Sequence, residues 1–439
     1  MSSYKNSLVF SLLLISFTAC SDNSINLKVE EPTNYKTVKT KYYPYDTSYI
    51  MFALEYENQG QYSKAKAIYK KLFINTNNYE YLEKFVSLAF HQKDYKGVSD
   101  ALNPSVLEQM KGIRQEESIL RVYSFSLMRM NKIEESIYFA KRVLKISPSE
   151  VNYELLGSIY LEAKKYNNAY REFENSYTLN NSGRTLLTLT NVEYYYLNKK
   201  QSAKRKIEKY IEANGYHYGL SLQLLTFYEK DKENEKVLNL LTKLYDKYKT
   251  EKKHVLNIKV RDLLLRYLVQ KDINKAIQFV KQNNESDNIL LSLYKSANKL
   301  DEASLLLKKM FSETNDYNYL GEIAILEFEM NENKQSVLNS VIVKFEKTLE
   351  NVSNHVFENY LAYILIDYDI DVNKGIKLVN KALKEEPNNY AYIDTLAWGE
   401  YKLKNCSNAY NLMKKVVDEV GLEDSEVKLH WERIKECSK

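Results

Sequence analysis

The stretch that decides the fold is Leu156-Gly157-x-x-Tyr160, followed by Tyr166-x-x-Ala169-x-x-x-Phe173. Both parts space their apolar residues three or four apart, which places them on one face of an α-helix. The stretch therefore predicts two amphipathic helices joined by a short turn. Gly157 and Ala169 are small, so they allow the two helices to approach closely while larger side chains interlock around them.

The position of Ala169 recurs along the chain at a nearly constant spacing. Six of the ten intervals between these positions are 33 or 34 residues. Self-similarity at this period predicts a solenoid of helix pairs, in which each pair packs against its neighbours. The eleven positions are Ala65, Val98, Ser136, Ala169, Ala203, Val237, Ala276, Ala303, Val337, Gly375 and Ala409.

This pattern resembles the tetratricopeptide repeat, and Pro148 and Pro387 stand at the position of that repeat's closing proline. The resemblance implies an all-α, right-handed solenoid of about 10–11 helix–turn–helix repeats over residues 46–420, with a C-terminal capping helix at 421–439. Only five prolines and eleven glycines occur in 439 residues, as an all-helical chain requires. Gly60 occupies one turn, and Asn or Lys occupies others, which suits helix C-termini.

Residues 1–19 resemble the signal peptide of a bacterial lipoprotein. Lys5 precedes an apolar run at 8–17, and small residues lead to Cys20, which would become lipidated. Ser21 follows that cysteine, and the resemblance then favours the outer membrane, facing the periplasm. An ordinary secretory signal and a buried helix are the alternatives. We expect residues 20–45 to be the lipidated Cys20 and a flexible tether.

Two further cysteines, Cys406 and Cys437, lie at the start of the last repeat's second helix and near the end of the capping helix. Stacking of these helices makes a disulfide between them reasonable in an oxidising compartment. The alternative is two free thiols in apolar contacts.

The sequence contains no zinc-binding His-Glu-x-x-His, no phosphate-binding loop and no Gly-x-Ser-x-Gly elbow. We therefore predict no catalytic residue, no metal, no cofactor and no enzyme activity. The formal net charge of +5 comes from interleaved acidic and basic residues, which are typical of solvated helix faces. The export signal argues against a nucleic-acid partner.

The resemblance also implies a binding surface, because the first helix of each tetratricopeptide pair lines a concave groove. The corresponding candidate residues are Arg121, Phe125 and Arg129 in one repeat, Glu154 in the next, and Asp394, Trp398 and Tyr401 in the last. Asp394 and Trp398 lie one turn apart and could anchor a partner chain or a sugar ring. Alternatively, Trp398 closes the end of the solenoid against the capping helix.

These features favour a lipid-anchored scaffold that binds protein partners in a secretion, outer-membrane, pilus or cell-wall assembly. The 39 tyrosines suit protein interfaces and glycan stacking alike. A scaffold for exopolysaccharide export, or a glycan-binding lipoprotein, is the alternative.

Overall fold

The computed structural model describes residues 35–438, and this part of the chain consists of helices and connecting turns without a β-strand. It divides at Leu240 into two compact units, and that residue lies within α13. The helices up to this point are α1 (Asp46–Asn58), α2 (Tyr62–Thr76), α3 (Tyr79–His91), α4 (Tyr95–Ala101), α5 (Pro104–Gln109), α6 (Glu116–Arg129), α7 (Ile133–Ile146), α8 (Glu150–Glu162), α9 (Tyr166–Asn180), α10 (Gly183–Asn191), α11 (Lys200–Asn214), α12 (Tyr218–Lys230) and α13 (Asn234–Thr250).

The remaining helices belong to the second unit. They are α14 (His254–Lys271), α15 (Ile273–Gln282), α16 (Asp287–Ser296), α17 (Leu300–Thr314), α18 (Tyr317–Met330), α19 (Leu338–Asn351), α20 (His355–Asp367), α21 (Val372–Glu385), α22 (Tyr390–Lys402), α23 (Cys406–Val420) and α24 (Ser425–Cys437). Within the two units of the described chain, ten pairs of consecutive helices pack against each other, from α1 with α2 to α22 with α23; α5 is an extra helix, and α24 follows as a single helix. The prediction of an all-α fold built from tetratricopeptide-like pairs is confirmed.

Small residues allow the helices of a pair to pack closely, as the sequence pattern requires. Ala65, Ala169 and Ala303 have no exposed surface. A Cβ atom on Gly157 would lie 3.0–3.1 Å from the ring of Phe173 on the partner helix. The turns between helices use left-handed backbone at Gly60 and at thirteen non-glycine residues, which are Asn, Lys or Asp. These residues end helices in the manner predicted for the turns.

One position of the predicted series, Val337, is misplaced. Val337 precedes α19 and is only partly buried, whereas Val341 and Phe345 are fully buried on that helix. The linker between α18 and α19 contains an additional 3₁₀ turn, Lys334–Ser336. This turn delays the start of the helix, so the equivalent position lies four residues further along the chain.

The predicted tether also differs from the structure where it is described. Residues 35–45 run along the first unit, where the backbone N–H of Lys36 donates to Gly112 O at 2.9 Å and that of Lys41 donates to Thr76 O at 2.7 Å. Val38 and Tyr43 pack against the core of this unit. Backbone hydrogen bonds and apolar contacts hold this segment in place. The predicted signal peptide and Cys20 lie outside the described residues.

The first unit contains a buried charge network around Lys204. Only 1% of this side chain is exposed, and its ammonium group lies between the carboxylates of Asp231 and Glu233. Asp231 also accepts hydrogen bonds from Lys200 at 2.9 Å and from Tyr194 at 2.8 Å. Burial raises the pKa of Asp231, but the hydrogen bonds from these donors outweigh it and lower that pKa to about 2. The ionised carboxylate, at the C-terminal end of α12, therefore binds both α11 and the π-helical turn Val192–Tyr196 that follows α10.

We predict that Asp231→Asn destabilises the protein at neutral pH by on the order of 1–2 kcal/mol, because Lys204 loses a charged partner. The pKa of Asp231 is about 2 in the folded protein and 3.8 in the unfolded chain, so its ionised form stabilises the fold fully above pH 3.8. This stabilisation is lost as the pH falls toward about 2. Urea unfolding of wild type and variant should therefore converge between pH 4 and pH 2. Asp418→Asn, at an exposed carboxylate, is the control and should show no such convergence. A constant difference across this pH range would contradict the assignment.

The second unit packs its pairs in the same way, and Gly375 marks the tightest approach. A Cβ atom there would lie 2.6 Å from Ile366 Cγ1 and 2.9 Å from the backbone oxygen of Ala362. Ile366 and Ala362 are themselves fully buried. Since a backbone oxygen cannot rotate away as a side-chain end can, this position admits only glycine without a shift of α20 or α21.

We predict that Gly375→Ala lowers the free energy of unfolding by up to about 2 kcal/mol. Overpacking costs about 1–3 kcal/mol, and the higher helix propensity of alanine offsets about 1 kcal/mol of it. Gly219→Ala is the matched control, because its Cβ would meet only side-chain atoms, at 3.3 Å or more. The control should be neutral or slightly stabilising in urea denaturation followed by far-UV circular dichroism. Equal effects at the two positions would contradict the close-approach argument.

Candidate functional site

Arg121, on α6, is held by its neighbours. Its Nε donates to Asn152 Oδ1 at 2.9 Å, and its guanidinium forms an ion pair with Glu117. Asn152, on α8, is fully buried and donates to Glu117 Oε1 at 2.9 Å and to Ser147 O at 2.8 Å. The Arg121 side chain thus links the first helices of two consecutive pairs.

Phe125 and Arg129, on the same helix, contact the preceding repeat. The Phe125 ring packs edge-on against Phe90 at 5.3 Å, and the Arg129 guanidinium lies 6.0 Å from the ring centroid of Tyr95. Phe125 is partly buried and Arg129 is exposed. Of these two candidates, Arg129 is the one whose side chain a partner can reach.

Glu154, on α8, accepts hydrogen bonds from the following repeat. Thr185 donates to it at 2.7 Å, and Arg184 donates at 3.0 Å. Of the groove residues predicted in the first unit, Arg121 and Glu154 therefore link successive first helices. This role keeps their side chains in fixed positions on the face that those helices form.

In the second unit, Trp398 packs into the end of the repeat array. Only 8% of the residue is exposed, and its ring stacks on His430 of α24 at 4.1 Å. Its Nε1 donates to Asp367 Oδ1 at 3.0 Å, and Tyr401 stacks on its other side at 4.7 Å. The structure thus places Trp398 as a seal against α24, which is the second of the two interpretations drawn from the sequence.

Asp394 and the two cysteines further fix α24. Both carboxylate oxygens of Asp394 lie 3.1 Å from Nδ1 of the buried His430. Cys406, at the start of α23, and Cys437, at the end of α24, are joined as a disulfide with a Cα–Cα distance of 5.5 Å. One buried hydrogen-bonded pair and one covalent link therefore hold the last helix against α22 and α23.

An open cavity of about 400 Å³ lies beside this seal. Its walls come from α20, α22, α23 and the start of α24, within the second unit. A volume of this size is typical of sites that bind a compact group. The lining residues are Asn359, Tyr360, Tyr363, Tyr390, Ala391, Asp394, Thr395, Val416, Val420, Asp424, Glu426 and Val427. We call this cavity the C-terminal pocket.

The polar groups of the C-terminal pocket are mostly held in place. Tyr360 donates to Glu329 Oε1 at 2.8 Å, and Asp424 Oδ1 caps α24 by accepting from the backbone N–H groups of Glu426 and Val427, at 2.8 and 3.1 Å. Burial, the Glu426 carboxylate and the charge of Asp367 together raise the pKa of Tyr363 well above its usual value. Tyr363 therefore remains a neutral hydroxyl donor among carboxylates.

Of the candidates proposed from the sequence, only Asp394 lines this pocket. Asn359 and Tyr363 were missed because the turn after α20 spans residues 368–371, one residue longer than the turn at 403–405 after α22. When this extra residue is counted, Asn359 occupies the same repeat position as Asp394, and Tyr363 the same as Trp398. The acidic residues of α24 carried no repeat signal, since this helix follows the last pair.

No group of three or more His, Cys, Asp or Glu residues in the described part of the chain has a geometry that could hold a metal ion. None of its helices is both long enough and apolar enough to cross a membrane.

No family model matches the chain. No curated protein matches it either. Among solved structures, Naa15/Naa10 bound to HypK-THB is 14% identical over 87% of this chain, with a TM-score of 0.34. The match spans 64% of the length of the chain in that structure. The P58(IPK) TPR domain is 13% identical over 73% of this chain and 98% of that one, with a TM-score of 0.27. The APC/C hetero-tetramer Cut9–Hcn1 is 10% identical over 89% of this chain and 96% of the other, with a TM-score of 0.33. Likenesses this remote carry no information about function.

We predict that Trp398→Phe destabilises the protein by about 1–3 kcal/mol, because the carboxylate of Asp367 loses a buried hydrogen-bond donor. Trp431→Phe should cost less, since Trp431 is only partly buried against Tyr410. The chain contains two tryptophans, so each variant leaves one fluorescent reporter for thermal or urea unfolding. If Trp398→Phe proved as stable as wild type, the hydrogen bond would contribute nothing to the seal.

Proposed function

We propose that this chain is a lipid-anchored, non-catalytic scaffold of the bacterial cell envelope that binds protein partners. The observation that carries the proposal is the C-terminal pocket, a preformed cavity lined largely by first helices of consecutive pairs. Preformed sites bind with less ordering cost than flexible ones. Solenoids of this kind typically offer such a face for recognition.

A carboxylate–imidazole pair beside the C-terminal pocket supports binding rather than catalysis. Asp394 and His430 form a carboxylate–imidazole pair, which in a hydrolase would orient a general base. Here, only 1% of His430 is exposed, and the ring of Trp398 stacks on it. A general base must lie within hydrogen-bond reach of the substrate. Buried in this way, His430 serves to hold α24.

The envelope location and the lipid anchor rest on the order of charged, apolar and small residues before Cys20. The disulfide between Cys406 and Cys437 supports the same compartment, because such bonds persist in oxidising surroundings. The outer membrane is proposed from Ser21 alone. A second candidate function, glycan binding, is favoured by the three tyrosines that line the C-terminal pocket.

The proposal is tested by fractionation and in-cell crosslinking of wild type and Cys20→Ala. Wild type should fractionate with membranes and crosslink reproducibly to a set of envelope proteins. Cys20→Ala should remain uncleaved or become soluble, and should lose those partners. Ser21→Ala keeps the lipidated cysteine and is the control, so it should behave as wild type.

Unchanged membrane fractionation and electrophoretic mobility of Cys20→Ala would refute the lipid anchor. Absence of crosslinked proteins, combined with retention of polysaccharide, would refute the protein scaffold and support the glycan-binding alternative.

A further inference from the structure

We propose that the outer side of α1, together with the segment that leads into it, rests on the surface of an anionic lipid membrane. This inference rests on the proposed function, because the lipid on Cys20 would bring this surface to the membrane. It is carried by exposed apolar side chains, by lysines beside them and by the short length of chain that leads to Cys20. The residues are Tyr42, Tyr45, Met51, Phe52 and Leu54, with Lys39, Lys41, Lys64 and Lys71. We call them the N-terminal face.

Helix α1 carries apolar residues on two sides, and the described chain covers only one of them. Ala53 is fully buried, and Ile50 packs against the core of the first unit. On the other side, Met51 and Leu54 lie one turn apart and are 65% and 51% exposed. Within residues 35–438, no helix precedes α1 to cover that side. Exposed apolar side chains that lie together mark a surface for a partner or a membrane.

Two lysines of the following helix lie beside this apolar side. Phe52 stands between Tyr49 and Tyr56 on one row of α1, since three and four residues separate them. Lys71 donates to the Tyr49 hydroxyl at 2.6 Å, and the Lys64 ammonium lies 5.1 Å from the ring centroid of Tyr56. Both lysines belong to α2, a helix with four lysines and no acidic residue. The exposed Phe52 ring therefore has a cation near it toward each end of the helix.

The N-terminal face is positively charged as a whole. Lys39 and Lys41 are exposed on the segment before α1, which contains no acidic residue after residue 34. Of the three acids of α1, Asp46 and Glu57 accept hydrogen bonds from buried tyrosines of α3 and α2. Only Glu55 is exposed. Four lysines against one exposed carboxylate favour an anionic surface as the partner.

The kinds of side chain on this face suit the boundary between lipid and water. Tyr42 and Tyr45 are 91% and 61% exposed, and tyrosine is enriched at membrane interfaces because its ring is apolar and its hydroxyl is polar. Met51 and Phe52 offer apolar surface to the acyl region. Lysine buries its methylene stem while its ammonium stays at the headgroups, where anionic lipids attract it.

The length of chain outside the described residues keeps the face near a lipid attached to Cys20. Tyr35 stands fifteen residues after Cys20. Whatever conformation these residues adopt, they span at most about 50 Å. Docking of the face on the same membrane is then intramolecular, so even a weak contact strengthens the attachment.

Other occupants fit this face less well. A second copy of the chain in a two-fold contact would set the four lysines of one copy against those of the other. A nucleic acid would use the lysines but leave the apolar side chains in water. A protein partner would have to find the face by diffusion, whereas the lipid on Cys20 would hold the membrane within reach.

The test uses the mature chain from residue 20 with Cys20→Ser, so that no lipid is attached. Co-sedimentation measures its binding to vesicles of phosphatidylcholine, alone or mixed with phosphatidylglycerol. Binding should be weak and reversible, about fivefold or more stronger with phosphatidylglycerol, and should decrease as salt is added. Met51→Ser combined with Phe52→Ser should weaken it about tenfold or more, and Lys39→Gln combined with Lys41→Gln about tenfold on the anionic vesicles only.

Matched controls come from α7 in the same unit. Tyr138→Ser removes a side chain of a residue that is as exposed as Met51, at 65%, and Lys141→Gln combined with Lys145→Gln removes two exposed charges. Both controls should bind vesicles as the unsubstituted chain does. Because every substituted side chain is exposed, folding should be unaffected, and circular dichroism verifies this.

A single thiol reports whether the face itself meets the lipid. Cys406 and Cys437 form a disulfide, so Met51→Cys supplies the one free thiol of this protein. A maleimide should label it rapidly in solution and about fivefold or more slowly when anionic vesicles are present. Tyr138→Cys is the control and should react at the same rate with and without vesicles.

Equal binding to the two kinds of vesicle would overturn the inference, as would unchanged binding by Met51→Ser combined with Phe52→Ser. Slow labelling of Met51→Cys without vesicles would also overturn it. A labelling rate that falls as protein concentration rises would assign the face to a second copy, and a rate independent of concentration would assign it to residues 20–34 of the same chain.

Failure of this inference and failure of the proposed function are read from different measurements. The vesicle test uses a protein without lipid, so absence of binding there refutes the docking face alone and leaves the anchor standing. Unchanged electrophoretic mobility of Cys20→Ala in cells would instead refute the anchor.

Discussion

The structure depends on the close approach of the two helices in each pair, which small residues make possible. Where Gly157 faces Phe173, and where Gly375 faces Ile366 and Ala362 O, a single added carbon has no free space. Dispersion contacts and burial of apolar surface both fall steeply when packed surfaces separate. The approach therefore sets the spacing of the pair, and that spacing sets where the next pair can stack. This is why small residues recur at the contact between the helices of a pair, while most surface positions are not restricted in size.

The size constraint acts on residues between the two helices of a pair. The side chains on the face formed by the first helices are therefore free to vary. In the first unit, polar side chains on this face bind one another across repeats, as Arg121 does with Asn152 and Glu154 with Thr185. In the second unit, the corresponding positions open into a cavity. The same architecture thus yields a hydrogen-bonded surface in one region and a pocket in the other, and the difference lies in side chains that the fold does not require.

The sequence predicted the helices well and the pocket poorly, for a physical reason. Small residues at a fixed period, such as Ala169 and Ala303, report packing that every pair needs. Linker length gives no such pattern in the sequence. The extra 3₁₀ turn before α19 therefore moved the equivalent position from Val337 to Val341, and the longer turn after α20 shifted the repeat position of Asn359 by one residue. The segment at 35–45 looked like a tether because its hydrogen bonds come from the backbone of Lys36 and Lys41, which carries no sequence signal. Local patterns thus predicted local structure, whereas contacts that depend on loop length could not be predicted from the sequence.

The last helix, α24, both covers the end of the core and forms part of the C-terminal pocket. The end of a repeat array must be covered, because the final pair has no neighbour. Helix α24 covers it through His430, which stacks on Trp398 and binds Asp394. The same helix is capped by Asp424 and carries Glu426 one turn before His430, so burying one face of α24 places its acidic start at the pocket. A helix needed for stability therefore supplies two of the three carboxylates there, and the charge of the pocket follows from how the end of the array is closed.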